Sequence, residues 1–284
     1  MPEPTTRPDP VVSRVPAGGE TLALHTWDDG RPGLADLFYV HGLQSHAGWL
    51  FETGPALLER GVRLTALDRR GSGASTGPRG HLPDARTVLD DYGTVLAGLA
   101  AEAPGPVTVL GQSFGGSLVA AMVASGRIPR GSGVVLCAPA LGQQRARLDE
   151  AARRRVLSRT GPDASVVQLE DEQYTTVPEY LAWMANDGLM VRSVTDSFRA
   201  AMVETEDLYA DAGPAPWADR EVWVACPDQD SIIDLRASEA MLADLAPQAV
   251  ARHFPVASHY LEFTDVREQY WDWLAAVVRN GAQR

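Results

Sequence analysis

The stretch VTVLGQSFGG, residues 107–116, decides the fold. It starts as an apolar run, as a strand buried on both faces does. It then breaks into Gly111, Gln112, Ser113, Phe114 and Gly115, with Gly116 directly behind. The next residues, GSLVAAMVAS (116–125), read as a helix. A tight turn accounts for the glycines, whereas the serine needs a further reason. G-x-S-x-G between a strand and a helix is the pattern of a nucleophile elbow: a serine in a strained backbone conformation projects from a sharp turn, and only small neighbours leave it room. The following helix also points its positive end at negative charge developing near Ser113.

Working outward, short apolar runs recur on both sides. DLFYVHG (36–42), RLTALD (63–68), GVVLCAP (133–139), EVWVAC (221–226) and ARHFPV (251–256) end in Gly, Pro, Asp, Cys or Val, and helix-like text lies between them. This alternation predicts an α/β fold with a mostly parallel, doubly wound sheet. ETLALHTW (20–27) alternates more strictly and suits an antiparallel edge strand. Residues 1–19 read as a flexible leader and 20–141 as the first part of the core. Residues 142–217 read as helices, such as RARLDEAARRRVLSR and SVTDSFRAAMVETEDLYADA, closed by GPAPW. An insertion of that size suggests a helical cap over the strand ends, where open α/β sheets bind ligands. Residues 218–284 complete the core.

A chain of 284 residues with 45% apolar content can bury a full core in one domain with an insertion. Its net charge is −12, from 25 basic and 37 acidic residues, which argues against nucleic acid or an anionic membrane as main partner. Only Cys137 and Cys226 are present, so neither a disulfide framework nor a metal cluster is indicated. No signal peptide or membrane span is legible, and a cytoplasmic location is the default. No cofactor and no metal are implied; the expected partner is a small-molecule acyl substrate, the chain being a monomer or homodimer.

A serine nucleophile requires a base and a group that orients the base. Of six histidines, His25 and His253 lie in strand-like text, His41 and His46 flank the loop after DLFYV, and His81 follows a turn. His259 remains, on the loop FPVASHYLEF (254–263) between the last strand and the last helix. The order serine, acid, histidine places the acid between them. CPDQDSIID (226–234) offers Asp228, Asp230 and Asp234, of which we select Asp230.

The segments YVHGLQSHAGW (39–49), ALDRRGSGASTGPRGHL (66–82), GQSFGG (111–116) and CAPAL (137–141) resemble the monoacylglycerol lipase and lysophospholipase branch of the serine α/β-hydrolases. NDGLMVRSVT (186–195) is similar to that branch near the end of its cap. The resemblance implies a triad of Ser113, Asp230 and His259, and an oxyanion hole from the backbone N–H groups of Leu43 and Phe114. The chain departs from the pattern at Gln112 (usually histidine), Phe114 (usually methionine), Gln44–Ser45 (usually Gly-Glu) and Pro227 (usually glycine). These departures leave the triad intact and bear on substrate choice.

An ester is then cleaved through an acyl-enzyme. An amidase, peptidase, thioesterase or cyclising acyltransferase would use the same triad, and a non-catalytic binding protein could keep the fold. A serine nucleophile excludes chemistry that requires a carboxylate nucleophile. Expected substrate-binding residues are His41, Gln112, Trp183 and Met184. Among the other cap residues Tyr174, Tyr180, Met190, Phe198 and Met202, some should line the pocket roof. The acidic run LEDEQY (169–174) could meet a substrate amine or form a solvated face.

Overall fold

The computed structural model describes residues 8–282. The chain opens with β1 (Val11–Ala17), β2 (Glu20–Trp27) and β3 (Ala35–Val40), then α1 (Thr53–Glu59), β4 (Val62–Leu67) and α2 (Ala85–Glu102). Next come β5 (Thr108–Gln112), α3 (Phe114–Ala124) and β6 (Val134–Cys137). An inserted segment follows: α4 (Gln143–Arg147), α5 (Glu150–Ser158), β7 (Ala164–Val166), α6 (Pro178–Ala185), β8 (Ser193–Thr195) and α7 (Asp196–Ala212). The chain returns through β9 (Val222–Pro227), α8 (Leu235–Leu245) and β10 (Val250–Phe254) to α9 (Arg267–Ala282).

Eight strands form one sheet in the order β1-β2-β4-β3-β5-β6-β9-β10. β1/β2 and β2/β4 are antiparallel and every other pair is parallel. This is the mostly parallel α/β sheet expected. Side chains along each central strand alternate between two cores. Phe38, Val40 and Val109 pack with Leu89, Tyr92 and Leu118 of α2 and α3. Leu37, Tyr39 and Leu110 pack with Leu57 of α1 and Trp271 and Leu274 of α9. Helices on both faces explain why these strands read as continuous apolar runs. Each fully buried Leu or Phe contributes about 1.5–3 kcal/mol.

Three sequence expectations need correction. Residues 11–17, read as part of a flexible leader, form β1 and pair along their whole length with β2. Val11, Val12 and Val15 supply β-branched side chains, and Pro16 is tolerated because β1 is an edge. The remainder of the leader at 1–7 lies outside the described residues. β10 is not covered on both faces: it is the other edge, and only Phe254 is buried. The inserted segment is not wholly helical either, since β7 and β8 pair antiparallel, Ala164 with Thr195 and Val166 with Ser193. Among the described residues no helix is long and apolar enough to cross a membrane.

The order reversal lies between β3 and β5, where the chain continues to β4 on one side and β6 on the other. Loops leaving the carboxyl ends of these two strands therefore flank a crevice. They are the 41–46 loop and the turn at Ser113.

Candidate active site

Ser113 joins β5 to α3 with φ 55° and ψ −121°. Such a conformation costs about 1–3 kcal/mol and persists only where its surroundings enforce it. They do so through backbone groups: Ser113 N–H donates to Cys137 O at 2.9 Å, and Ala140 N–H donates to Ser113 O at 3.0 Å. The glycines now have their reason. A Cβ on Gly115 would stand 2.0 Å from Val40 O, and one on Gly111 would stand 2.5 Å from Gly115 O. Without side chains there, α3 can begin directly against the ends of β3 and β5.

The 41–46 loop is fixed from beneath. His41 is fully buried, with Nδ1 donating to Gly42 O (2.8 Å) and Nε2 accepting the Arg69 N–H (3.0 Å). Burial, and then the Arg69 charge, push its pKa down to about 3, so the ring is neutral and serves the loop. Arg69 is 1% exposed; Nη1 donates to Gly42 O (3.1 Å) and Nη2 to Leu43 O (2.8 Å), while the guanidinium lies over Phe114 and Phe198. Both loop carbonyls are thus committed to Arg69. A Cβ on Gly42 would stand 2.6 Å from Gln112 Oε1, so a larger residue there would displace the Gln112 amide.

His259 follows β10 and is fully buried. Its Nδ1 lies 2.6 Å from Asp230 Oδ2. Asp230 Oδ1 accepts the N–H groups of Ile232 (2.8 Å) and Ile233 (3.0 Å). Burial pushes the Asp230 carboxyl up, yet the facing imidazole and these hydrogen bonds outweigh it and hold the pKa below the ordinary value. A carboxylate accepts only, so Nδ1 carries the proton and Nε2 the lone pair. That lone pair faces the Gln112 amide at 3.3 Å. Among the described residues no hydrogen bond joins the Ser113 hydroxyl to His259.

Ser113, Leu43 and Phe114 line a cavity of about 280 Å³. The acid loop adds Ile232 and Ile233, and the inserted segment adds residues from α4, β7, β8 and α7. Tyr174 and Met202 line it, in keeping with the expectation that some such residues form its roof. Trp183 and Met184 do not. They pack with Trp49, Tyr180 and Phe263 in a separate aromatic cluster. His41 and Gln112 also lie off the cavity wall, beneath the loop and beside His259. Of the acidic run only Leu169 and Tyr174 reach the cavity, while Asp171 pairs with Arg192. Gln143, Arg147 and Arg199 line it without having been foreseen; being polar, they read in sequence as solvated helix faces. Among the described residues no group of three or more metal-ligating side chains occurs.

Comparison with known proteins bears on this arrangement. A model of the family described as serine aminopeptidase, S33, matches residues 34–263, more than half of the chain. An uncharacterised abhydrolase domain-containing protein of Dictyostelium discoideum is 36% identical over 99 residues, 35% of this chain and 10% of that protein. The monoacylglycerol lipase of Mycolicibacterium smegmatis is 30% identical over 168 residues, 58% of this chain and 59% of that protein. The matched stretch thus spans less than two thirds of either relative. A soluble variant of monoglyceride lipase from Saccharomyces cerevisiae, crystallised with a substrate analogue, has a TM-score of 0.81 at 17% identity, covering 99% of this chain and 98% of that one. At that identity the likeness shows the fold, that of an α/β-hydrolase.

Proposed function

The chain belongs to the serine aminopeptidase S33 family, and from that premise we propose that it is a serine hydrolase cleaving a carboxylic ester of a small molecule. Ser113 is the nucleophile, His259 the base and Asp230 the group that orients the base. The reading is carried by one observation: a serine held at φ 55° at a strand-to-helix turn opens into a cavity of about 280 Å³. The Asp230–His259 contact at 2.6 Å supports the roles of base and orienting acid. The monoacylglycerol lipase among the relatives favours an ester over an amide.

The steps follow from these positions. Substrate entering beneath the inserted segment, which acts as a cap, brings its carbonyl to Ser113. His259 Nε2 must then exchange the Gln112 amide for the Ser113 hydroxyl; catalytic hydrogen bonds are often loose before substrate binds. Oγ attacks, the proton passes to Nε2, and Asp230 stabilises the imidazolium. The backbone N–H groups of Leu43 and Phe114 receive the oxyanion, each such donor being worth roughly 3 kcal/mol. Arg69, by holding the carbonyls of Gly42 and Leu43, keeps that loop in place. The proton then goes to the departing alcohol, and water repeats the cycle on the acyl-enzyme.

Treatment with a neutral fluorophosphonate and weighing of the intact protein tests this. One adduct on the native chain and none on Ser113→Ala is expected. An unlabelled native chain would sink the reading and leave a binding protein on a hydrolase fold.

A further inference from the structure

We infer that the substrate carries a carboxylate or phosphate group, which Arg147 and Arg199 hold in the cavity that contains Ser113. This rests on the serine hydrolase reading and adds a charge requirement to it.

The residues that line the cavity include two arginines and no Asp or Glu. That is contrary to the chain as a whole, where 37 acidic residues outnumber 25 basic ones. Both guanidinium groups are oriented by neutral oxygens. Arg147 Nη2 donates to Gln143 Oε1 (3.1 Å) and Ile232 O (2.9 Å). Arg199 donates through Nε (3.2 Å) and Nη2 (2.9 Å) to Ser165 Oγ, and through Nη2 to Val166 O (3.4 Å). Neither has a carboxylate within ion-pair distance among the described residues, and Nη1 of each has no partner there.

Four other arginines of the inserted segment are ion-paired. Arg145 pairs with Asp211 (2.7 Å) and Asp207 (3.2 Å), Arg153 with Asp207, Arg154 with Glu150 and Arg192 with Asp171. Those four lie off the cavity wall and are neutralised, whereas Arg147 and Arg199, like Arg155 and Arg159 outside this cavity, have no carboxylate partner among the described residues; only Arg147 and Arg199 bring that charge to the cavity with Ser113. A guanidinium with free N–H groups accepts a carboxylate or phosphate through paired hydrogen bonds. The remaining wall is largely apolar, with Leu43, Leu169, Val194, Met202, Ile232 and Ile233. It suits a hydrocarbon segment between the scissile ester and a charged end. A free α-amine, as an aminopeptidase substrate presents, would meet charge of its own sign.

The test uses p-nitrophenyl esters matched in length: mono-p-nitrophenyl glutarate, its neutral methyl ester, p-nitrophenyl 4-phosphonobutyrate and the trimethylammonium analogue. The anionic esters should exceed the neutral one in kcat/KM by about tenfold, chiefly through KM, and the advantage should shrink at high salt. Preference for the glutarate assigns a carboxylate and preference for the phosphonate a phosphate; either supports the inference. In Arg147→Gln/Arg199→Gln the anionic-to-neutral ratio should fall towards one, and the paired Lys variants should retain part of it. Equal or better use of the neutral or cationic ester, or a ratio unmoved by the double variant, overturns the inference while fluorophosphonate labelling of Ser113 leaves the hydrolase reading standing. Absence of both labelling and turnover defeats both together.

Discussion

The floor of the cavity and the outer part of its roof, α4 and α5, are held by different forces. The floor consists of the turn at Ser113, held by backbone hydrogen bonds to Cys137 and Ala140, and the 41–46 loop, held by the buried His41 and Arg69, the two meeting at glycine contacts. In the roof, α7 buries Phe198, Ala201 and Tyr209 in the core shared with α2 and α3, while α4 and α5 are tied to its outer face by arginine–aspartate pairs and α5 buries none of its residues. Groups fixed by a close-packed backbone need little reorganisation when charge develops, which is what an oxyanion site requires. Partly exposed ion pairs contribute about 0–1 kcal/mol each and leave side chains replaceable. Under the proposed function, the contrast assigns chemistry to the floor and selection to the roof. Floor substitutions should act on kcat or on folding, roof substitutions on KM.

The hardest test of that division is Asp230→Asn. With the imidazole in the wrong tautomer, kcat for an activated ester should fall by about 10⁴-fold, whereas Asp228→Asn should stay near the native rate. Reversal of the two would move the acid to Asp228. The same substitution has a signature in stability. The Asp230 carboxyl is depressed in the folded chain, so its stabilisation is present above the unfolded value of about 3.8 and is lost as pH falls through the folded value. Urea unfolding between pH 3 and 6 should show a flatter acid limb in the variant.

Next in size is Gly115→Ala, which asks whether the floor is as unyielding as its contacts imply. The new Cβ meets Val40 O at 2.0 Å and Val40 C at 2.7 Å, both backbone atoms. A destabilisation of about 3 kcal/mol and a Tm lower by roughly 6–12 °C are expected. Gly98→Ala is the control. No atom within 4 Å opposes a Cβ there, and α2 should gain about 0.5–1 kcal/mol.

The same contrast explains what could be read from the chain. Strand, serine and glycines follow from sterics that short-range sequence carries, so the elbow and the parallel sheet were legible. Chain order made His259 the candidate base, and the loop after β9 made Asp230 the candidate acid, with the resemblance agreeing. The roof was opaque for a physical reason. Helical periodicity marks Trp183 and Met184 as buried without saying against what, and they pack on Trp49 and Phe263 instead of the cavity at Ser113. Arg147 and Arg199 look like solvated charges until α4 is seen against Ile232 and α7 against Ser165. β1 hid behind flanking prolines because an edge strand bears fewer constraints than a central one.

Beneath the floor, Glu262 sharpens the comparison further. It is 1% exposed, Oε1 accepts the Tyr39 hydroxyl at 2.8 Å, and burial pushes its pKa up to about 7. Between the ordinary glutamate value of 4.5 and about 7 the folded chain binds more protons than the unfolded one, so stability falls as pH rises. The slope is at most about 1.4 kcal/mol per pH unit. Glu262→Gln removes the titration, and its Tm should gain on the native chain from pH 5 to 7 and level off above. Parallel curves across that range would show that Glu262 ionises normally.

The smallest expected effect belongs to the roof. Asp207 accepts Arg145 at 3.2 Å and also pairs with Arg153, and its side chain is 31% exposed. Asp207→Asn removes the Arg153 pair between α5 and α7 and one of the two Arg145 pairs between α4 and α7, with Asp211 and Glu206 still holding α4. Solvent screens the lost pairs, so the loss should stay below about 1 kcal/mol and Tm should move by only a few degrees. KM should rise by about twofold with kcat nearly constant, because the lining residues of α4 are less well placed while Ser113 and its neighbours do not move. High salt should reproduce the change in the native chain by screening the same pairs. A Tm fall as deep as that of Gly115→Ala would contradict the division, for it would mean that roof and floor unfold as one packed unit.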